Sequence, residues 1–154
     1  MTGFAPERIF AALQRERVGY VAVGGIAVMA HGVVRATIDV DVVAAPHPED
    51  RERMAAAIRS LHGTPRGESG TPVTADLLAR DANMRFETDA GQLDVLCGEA
   101  YRRLYPDLRA RAVVIEMDGV EIVVASRNDL IRLKAGTGRD RDLLDIGDLL
   151  ALDE

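Results

Sequence analysis

Asp39 and Asp41 stand in the run T-I-D-V-D-V-V-A, residues 37–44, which is otherwise apolar and β-rich. Removing an unpaired carboxylate from water costs several kcal/mol, so acids in a run of this kind need a partner. Successive side chains of a strand alternate faces. The two acids therefore point the same way, with Cα atoms roughly 6.6 Å apart, while Val40 points into the core. At that spacing the carboxylates repel, and Ile38, Val40, Val42 and Val43 offer no compensation. A divalent cation would compensate them. Carboxylate oxygens are hard ligands suited to Mg2+, which takes one or two of them and completes its shell with water and substrate phosphates. Mn2+ accepts the same donors. Asp94, in G-Q-L-D-V-L-C-G, is a third acid between apolar neighbours of a strand. Three strand carboxylates suit two metal ions about 3.5–4 Å apart, the arrangement that polarises attacking and leaving oxygens in phosphoryl-type transfer. The chain has three histidines and one cysteine and no cluster of them, which argues against zinc.

Gly24-Gly25 falls between a short apolar strand and a short helix, one strand before the Asp-x-Asp pair. Glycine there lets the backbone approach a phosphate, and the helix N–H groups are free to bind it. Arg35 and Thr37 precede the acidic strand closely enough to reach nucleotide or acceptor. Each signal has a plainer alternative. The acids could be a sheet-edge pair open to water or bound to arginine, Asp94 a hairpin-end residue, and Gly24-Gly25 an ordinary tight turn. His31 on an apolar helix reads as a satisfied, buried histidine, and Cys97 as a small core residue.

The elements that must position these residues follow from patterning. Residues 6–17 have helical apolar spacing, with Pro6 in the first turn. Residues 20–23 read as a strand, 26–31 as a short helix and 37–44 as a strand stopped by Pro46. Residues 49–62 are helical, with acids in the first turn and Gly63 as the stop. The stretch 63–72 is rich in Gly, Pro, Ser and Thr and reads as a loop. A short helix over 74–80 precedes strands 84–88 and 92–96, joined by Asp89-Ala90-Gly91, and a helix over 99–105. Asp118-Gly119 makes 112–125 a hairpin. Residues 126–152 are helical, opened by a capping-box pair, Ser126 and Asp129, and broken at 136–138. This order predicts an α/β (α+β) fold, a mixed sheet flanked by helices. It is expected to be one domain over 1–154, with a core at about 18–125 and a helical C-terminal part, 126–154.

The 154 residues carry a formal net charge of -6, which gives no general attraction to nucleic acid or an anionic membrane. The uncharged run 18–34 holds four glycines and a histidine and is shorter than the roughly 20 residues of a membrane span. A soluble, cytoplasmic protein is expected, and the single Cys97 excludes an internal disulfide.

Gly24-Gly25, thirteen intervening residues and then D-V-D at 39–41 resemble the signature of the DNA polymerase β-like nucleotidyltransferase superfamily, with Asp94 where that superfamily carries its third acid. The ending S-R-N-D-L-I-R-L-K-A-G-T-G-R-D-R-D-L-L-D-I-G-D-L-L resembles the minimal AbiEii toxin-like branch, whose helical lysine, arginine and spaced aspartates match Lys134, Arg139, Asp142 and Asp145. The resemblance covers about 18–150 and leaves 63–80 unmatched. Where the turn is often Gly-Ser, position 25 is glycine. The resemblance implies an NTP-dependent nucleotidyltransferase. Its catalytic and metal-binding residues would be Asp39, Asp41 and Asp94, and its nucleotide-binding residues Gly24, Gly25, Thr37, Lys134 and Arg139. It further implies two Mg2+ ions and transfer of NMP to a tRNA end or a protein hydroxyl, in a toxin–antitoxin or phage-defence pair with a cognate antitoxin. Asp142 and Asp145 are expected to pair with Arg139 or Arg141. One rival is a small-molecule, antibiotic-type nucleotidyltransferase, which the acidic charge balance favours over RNA. The other is a non-catalytic domain that binds nucleotide or a partner.

Overall fold

A computed structural model of the chain describes residues 3–153. Residues 1, 2 and 154, which the expected domain and C-terminal part include, lie outside those described. The elements run α1 (Pro6–Arg15), β1 (Tyr20–Val23), α2 (Gly24–Ala30), β2 (Asp39–Ala44), α3 (Pro48–Ser60), β3 (Thr64–Pro65), α4 (Ala75–Leu78), β4 (Met84–Thr88), β5 (Gly91–Leu96), α5 (Glu99–Arg111), β6 (Val113–Met117), β7 (Val120–Val124), α6 (Arg127–Ala135) and α7 (Asp140–Leu150). The seven strands form one mixed sheet in the order β3-β4-β5-β2-β1-β7-β6. β2 runs antiparallel to β1 and parallel to β5, and β1 runs parallel to β7. Helices flank the sheet, as the patterning predicts.

Burial explains the central strands. Val21, Ala22, Val40, Val42, Leu93 and Val95 are fully buried, and α1 contributes Ile9, Phe10 and Leu13 to the same core. Apolar burial on this scale, at about 25 cal/mol per Å², holds three half-buried acids in the middle of the sheet. In β2 the alternation leaves Asp39 and Asp41 on the accessible face and buries Val40 and Val42.

Several boundaries differ from expectation, each for a physical reason. The acidic strand begins at Asp39 rather than 37. Asp39 already pairs with Gln92 of β5, and β1 ends at Val23 opposite Asp41, so Thr37 and Ile38 have no strand to join. α2 begins at Gly24 itself, so the glycine pair is the helix's first turn and not a separate turn before it. α5 continues through Pro106 to Arg111, because Tyr105 and Leu108 bury against the core and outweigh the lost hydrogen bond. The expected loop 63–72 contributes β3, whose two residues pair with Phe86 and Glu87. Such a segment is too short to show any periodicity. At Asp118-Gly119 both residues have positive φ (52° and 81°), as a tight hairpin turn requires. Of the capping box only half forms. Ser126 accepts from the Asp129 N–H, while the Asp129 carboxylate binds Arg111 and Arg132. No helix among the described residues is long and apolar enough to cross a membrane.

Candidate active site

The parallel pairing of β2 with β5 sets Asp41 directly beside Asp94 and Asp39 beside Gln92. One carboxylate oxygen from each of Asp39, Asp41 and Asp94 lies within 4.8 Å of the others. Gln92 Nε2 donates to Asp39 Oδ2 (3.1 Å) and to Asp94 Oδ1 (3.5 Å), bracing the two outer acids. From β4, Arg85 donates through Nε and Nη2 to both oxygens of Asp94, at 2.8 and 3.1 Å. Among the described residues no cation forms an ion pair with Asp41. Burial first, then the charge of Asp39, a hydrogen bond shared with Asp94 and the Asp94 charge raise its pKa from 3.8 to about 8, against an opposing pull from Lys134. The cluster carries more negative charge than its own cations offset. Three convergent hard oxygen donors with uncompensated charge fit a divalent cation.

Gly24 lies under this cluster. Its φ is +70°, and a Cβ there would run into the Asp41 carboxylate. Gly25 faces the other way, where a Cβ would meet Arg35 Nη1 and Thr37 Oγ1, each at 2.9 Å. Thr37 Oγ1 donates to the Asp39 main-chain and side-chain oxygens at 3.4 Å. Gly24, Gly25, Arg35, Thr37, Asp39 and Lys134 line one cleft of about 450 Å³, so these sequence-selected residues do come together.

Lys134 and Arg139 arrive from the α6–α7 hairpin in a network not legible beforehand. Lys134, buried, bridges Asp142 Oδ1 and Asp145 Oδ2 at 2.9 Å each. Arg139 Nε donates to Asp142 Oδ2 (2.7 Å), Thr137 Oγ1 to the same oxygen (2.6 Å) and Arg35 Nη1 to Asp145 Oδ2 (2.8 Å). Asp142 does pair with Arg139. Asp145, by contrast, pairs with Lys134 and Arg35 and not with Arg141, which donates to the Ala36 carbonyl. Burial raises the Asp142 carboxyl, but hydrogen bonds from Thr137, Lys134 and Arg139 outweigh it and leave it at about 2. The Arg139 side chain is 74% exposed, whereas that of Lys134 is 10% exposed between its two aspartates. His31 is half-buried and its Nε2 meets the Ala125 carbonyl at 2.8 Å, a structural contact. Cys97 is buried, with its Sγ on the Ala82 carbonyl.

Sequence reasoning missed Arg85 and Gln92. The signal was present: with Thr88 opposite Gly91 across the turn, counting back places Arg85 opposite Asp94.

A glycine-opened helix, an Asp-x-Asp strand and a third acid on the parallel neighbour define the nucleotidyltransferase class. The chain belongs to the family described as "Nucleotidyltransferase of unknown function (DUF6036)", which matches residues 7–153. No curated protein matches its sequence. In fold it is similar to the lincosamide antibiotic adenylyltransferase LnuA (13% identity, 99% of both chains, TM-score 0.68). It is also similar to the antibiotic-resistance factor ANT(2'')-Ia (15% identity, 95% of this chain and 80% of that one, TM-score 0.64). A third likeness is to a Thermotoga maritima protein described as a "putative nucleotidyltransferase" (16% identity, 95% and 90%, TM-score 0.60). At such identities these likenesses establish the fold.

Proposed function

We propose that residues 1–154 form a minimal Mg2+-dependent nucleotidyltransferase domain that transfers NMP from an NTP to a hydroxyl acceptor. The observation that carries this is the convergence of Asp39, Asp41 and Asp94 within 4.8 Å on adjacent parallel strands. These acids would hold the metal ions, which neutralise charge on the phosphates and activate the acceptor oxygen. The triphosphate would lie along Gly24-Gly25 and Thr37, with Arg35, Lys134 and the exposed Arg139 offsetting its charge. The acceptor oxygen forms a bond to the α-phosphorus as the bond to the bridging α–β oxygen breaks. Pyrophosphate leaves with the electron pair, and the hydroxyl proton passes to Asp94 or to solvent. Arg85, whose side chain is 43% exposed, would have to yield Asp94 for this, exchanging its two bonds to the carboxylate for bonds to solvent or phosphate.

For the acceptor, the likeness of the C-terminal segment to the AbiEii toxin-like branch supports a tRNA end or a protein hydroxyl. The setting is then a cytoplasmic toxin–antitoxin or phage-defence pair with a cognate antitoxin. Fold similarity to LnuA and ANT(2'')-Ia over nearly the whole chain supports a second reading, a small-molecule acceptor. The deciding experiment incubates the protein and Mg2+ with each α-labelled NTP. It offers total tRNA, lysate protein and small hydroxylated compounds in parallel, with Asp94→Asn as control. Incorporation lost in Asp94→Asn supports the reading. NTP binding without incorporation into any acceptor would replace it with a non-catalytic one.

A further inference from the structure

Two clefts meet at Asp94. One holds Gly24, Asp39, Asp41, Lys134 and Arg139. The other, of about 470 Å³, lies beyond Asp94 and is bounded by Arg66, Glu68, Arg80, Asn83 and Arg85; the two share Arg85, Asp94 and Leu96. The second cleft has a braced wall. Arg102 donates to the carbonyls of Cys97, Ala79 and Arg80, Asp81 accepts from the Glu99 N–H, and Asn83 accepts from the Gly98 N–H. On the opposite side β3 pins the 63–72 segment to β4, and Arg66 N–H reaches the Arg85 carbonyl at 2.9 Å.

Its charge departs from that of the whole chain. Against a formal net charge of -6, the lining has three arginines facing Glu68 and Asp94. Arg80 pairs with Glu68, and Arg66 pairs with Glu87 and Gln92 outside the lining. All four of these charged side chains are between 41% and 52% exposed, and pairs so exposed bind their partners weakly. Arg85 is held by both oxygens of Asp94, and a cation bound by the acids would compete for them and loosen the guanidinium.

We infer that this cleft receives the acceptor, and that the acceptor carries a phosphate beside its reactive hydroxyl, bound by Arg66, Arg80 and Arg85. The inference rests on the nucleotidyltransferase reading and adds the substrate class. Planar guanidinium forks match phosphate oxygens in pairs, and a phosphate can exchange for the exposed carboxylates that Arg66 and Arg80 now hold. The phosphate has two sources, a free phosphorylated metabolite or the chain end of an RNA.

Calorimetric titration tests it, first with Mg2+ alone and then with Mg2+ and a non-hydrolysable NTP analogue. The probes are ribose, ribose 5-phosphate, a short RNA with a free terminal hydroxyl, and an aminoglycoside. One of the two phosphate-bearing probes should bind about tenfold or more tightly than ribose. Whichever of them binds tighter identifies the source. Arg66→Gln and Arg80→Gln should abolish the preference while leaving NTP-analogue affinity unchanged, and Arg85→Gln should weaken phosphate binding as well. Equal binding of ribose and ribose 5-phosphate with no preference for RNA would overturn the inference, as would tighter binding of the aminoglycoside or an unaltered preference in all three variants. Loss of the NTP-analogue signal in the wild type would sink the nucleotidyltransferase reading instead, while the titration with Mg2+ alone still decides the phosphate preference.

Discussion

Removing one carboxylate from the acidic cluster should make the metal-free protein more stable at neutral and alkaline pH. Asp41 is held at about 8 in the folded protein against an ordinary 3.8, chiefly by burial and by the charge of Asp39. The native state therefore keeps a proton that the unfolded chain has lost. The associated stability is fully present below about pH 4 and is lost as pH rises through about 8. A shift of roughly four pH units, at about 1.4 kcal/mol each, bounds the loss at about 6 kcal/mol, spread over the three coupled acids. Asp41→Asn removes the titration. In urea melts with EDTA from pH 5 to 9, the wild type should lose stability relative to the variant by up to about 1.4 kcal/mol per pH unit. Mg2+ should cancel much of that loss in the wild type alone, and its binding at pH 7 should release about one proton, read from calorimetry in buffers of different ionisation enthalpy. Parallel pH curves for the two proteins, with no proton release, would refute the uncompensated cluster.

Gly24→Ala places a side chain at φ +70° against the Asp41 carboxylate. It should cost about 1–2 kcal/mol of stability from the backbone and weaken Mn2+ binding, measured by electron paramagnetic resonance. Gly25→Val meets Arg35 and Thr37 instead, so it should weaken NTP binding in fluorescence titration much more than metal binding. Lys134→Met leaves Asp142 with Arg139 and Thr137, and Asp145 with Arg35, and should cost about 3 kcal/mol or more in chemical denaturation. A stability loss well below that would mean the aspartates repair their pairing without the lysine.

The sequence by itself determined that two carboxylates share one face of a strand, because a period of two leaves no other arrangement for Asp39 and Asp41. It also determined a mixed sheet with flanking helices and a hairpin at Asp118-Gly119, because apolar periodicity and turn chemistry are local properties. Hairpin arithmetic even contained the Arg85–Asp94 pair. Only the tertiary structure decided that β5 runs parallel beside β2 in the register that sets Asp94 against Asp41. That pairing joins strands some fifty residues apart, and nothing local encodes it. The same holds for the buried bridge from Arg35 through Asp145, Lys134 and Asp142 to Arg139. Spacing three apart on a helix says which aspartates share a face. Which cations they meet there is fixed by how α7 packs across the 31–38 loop, a long-range choice made by burial.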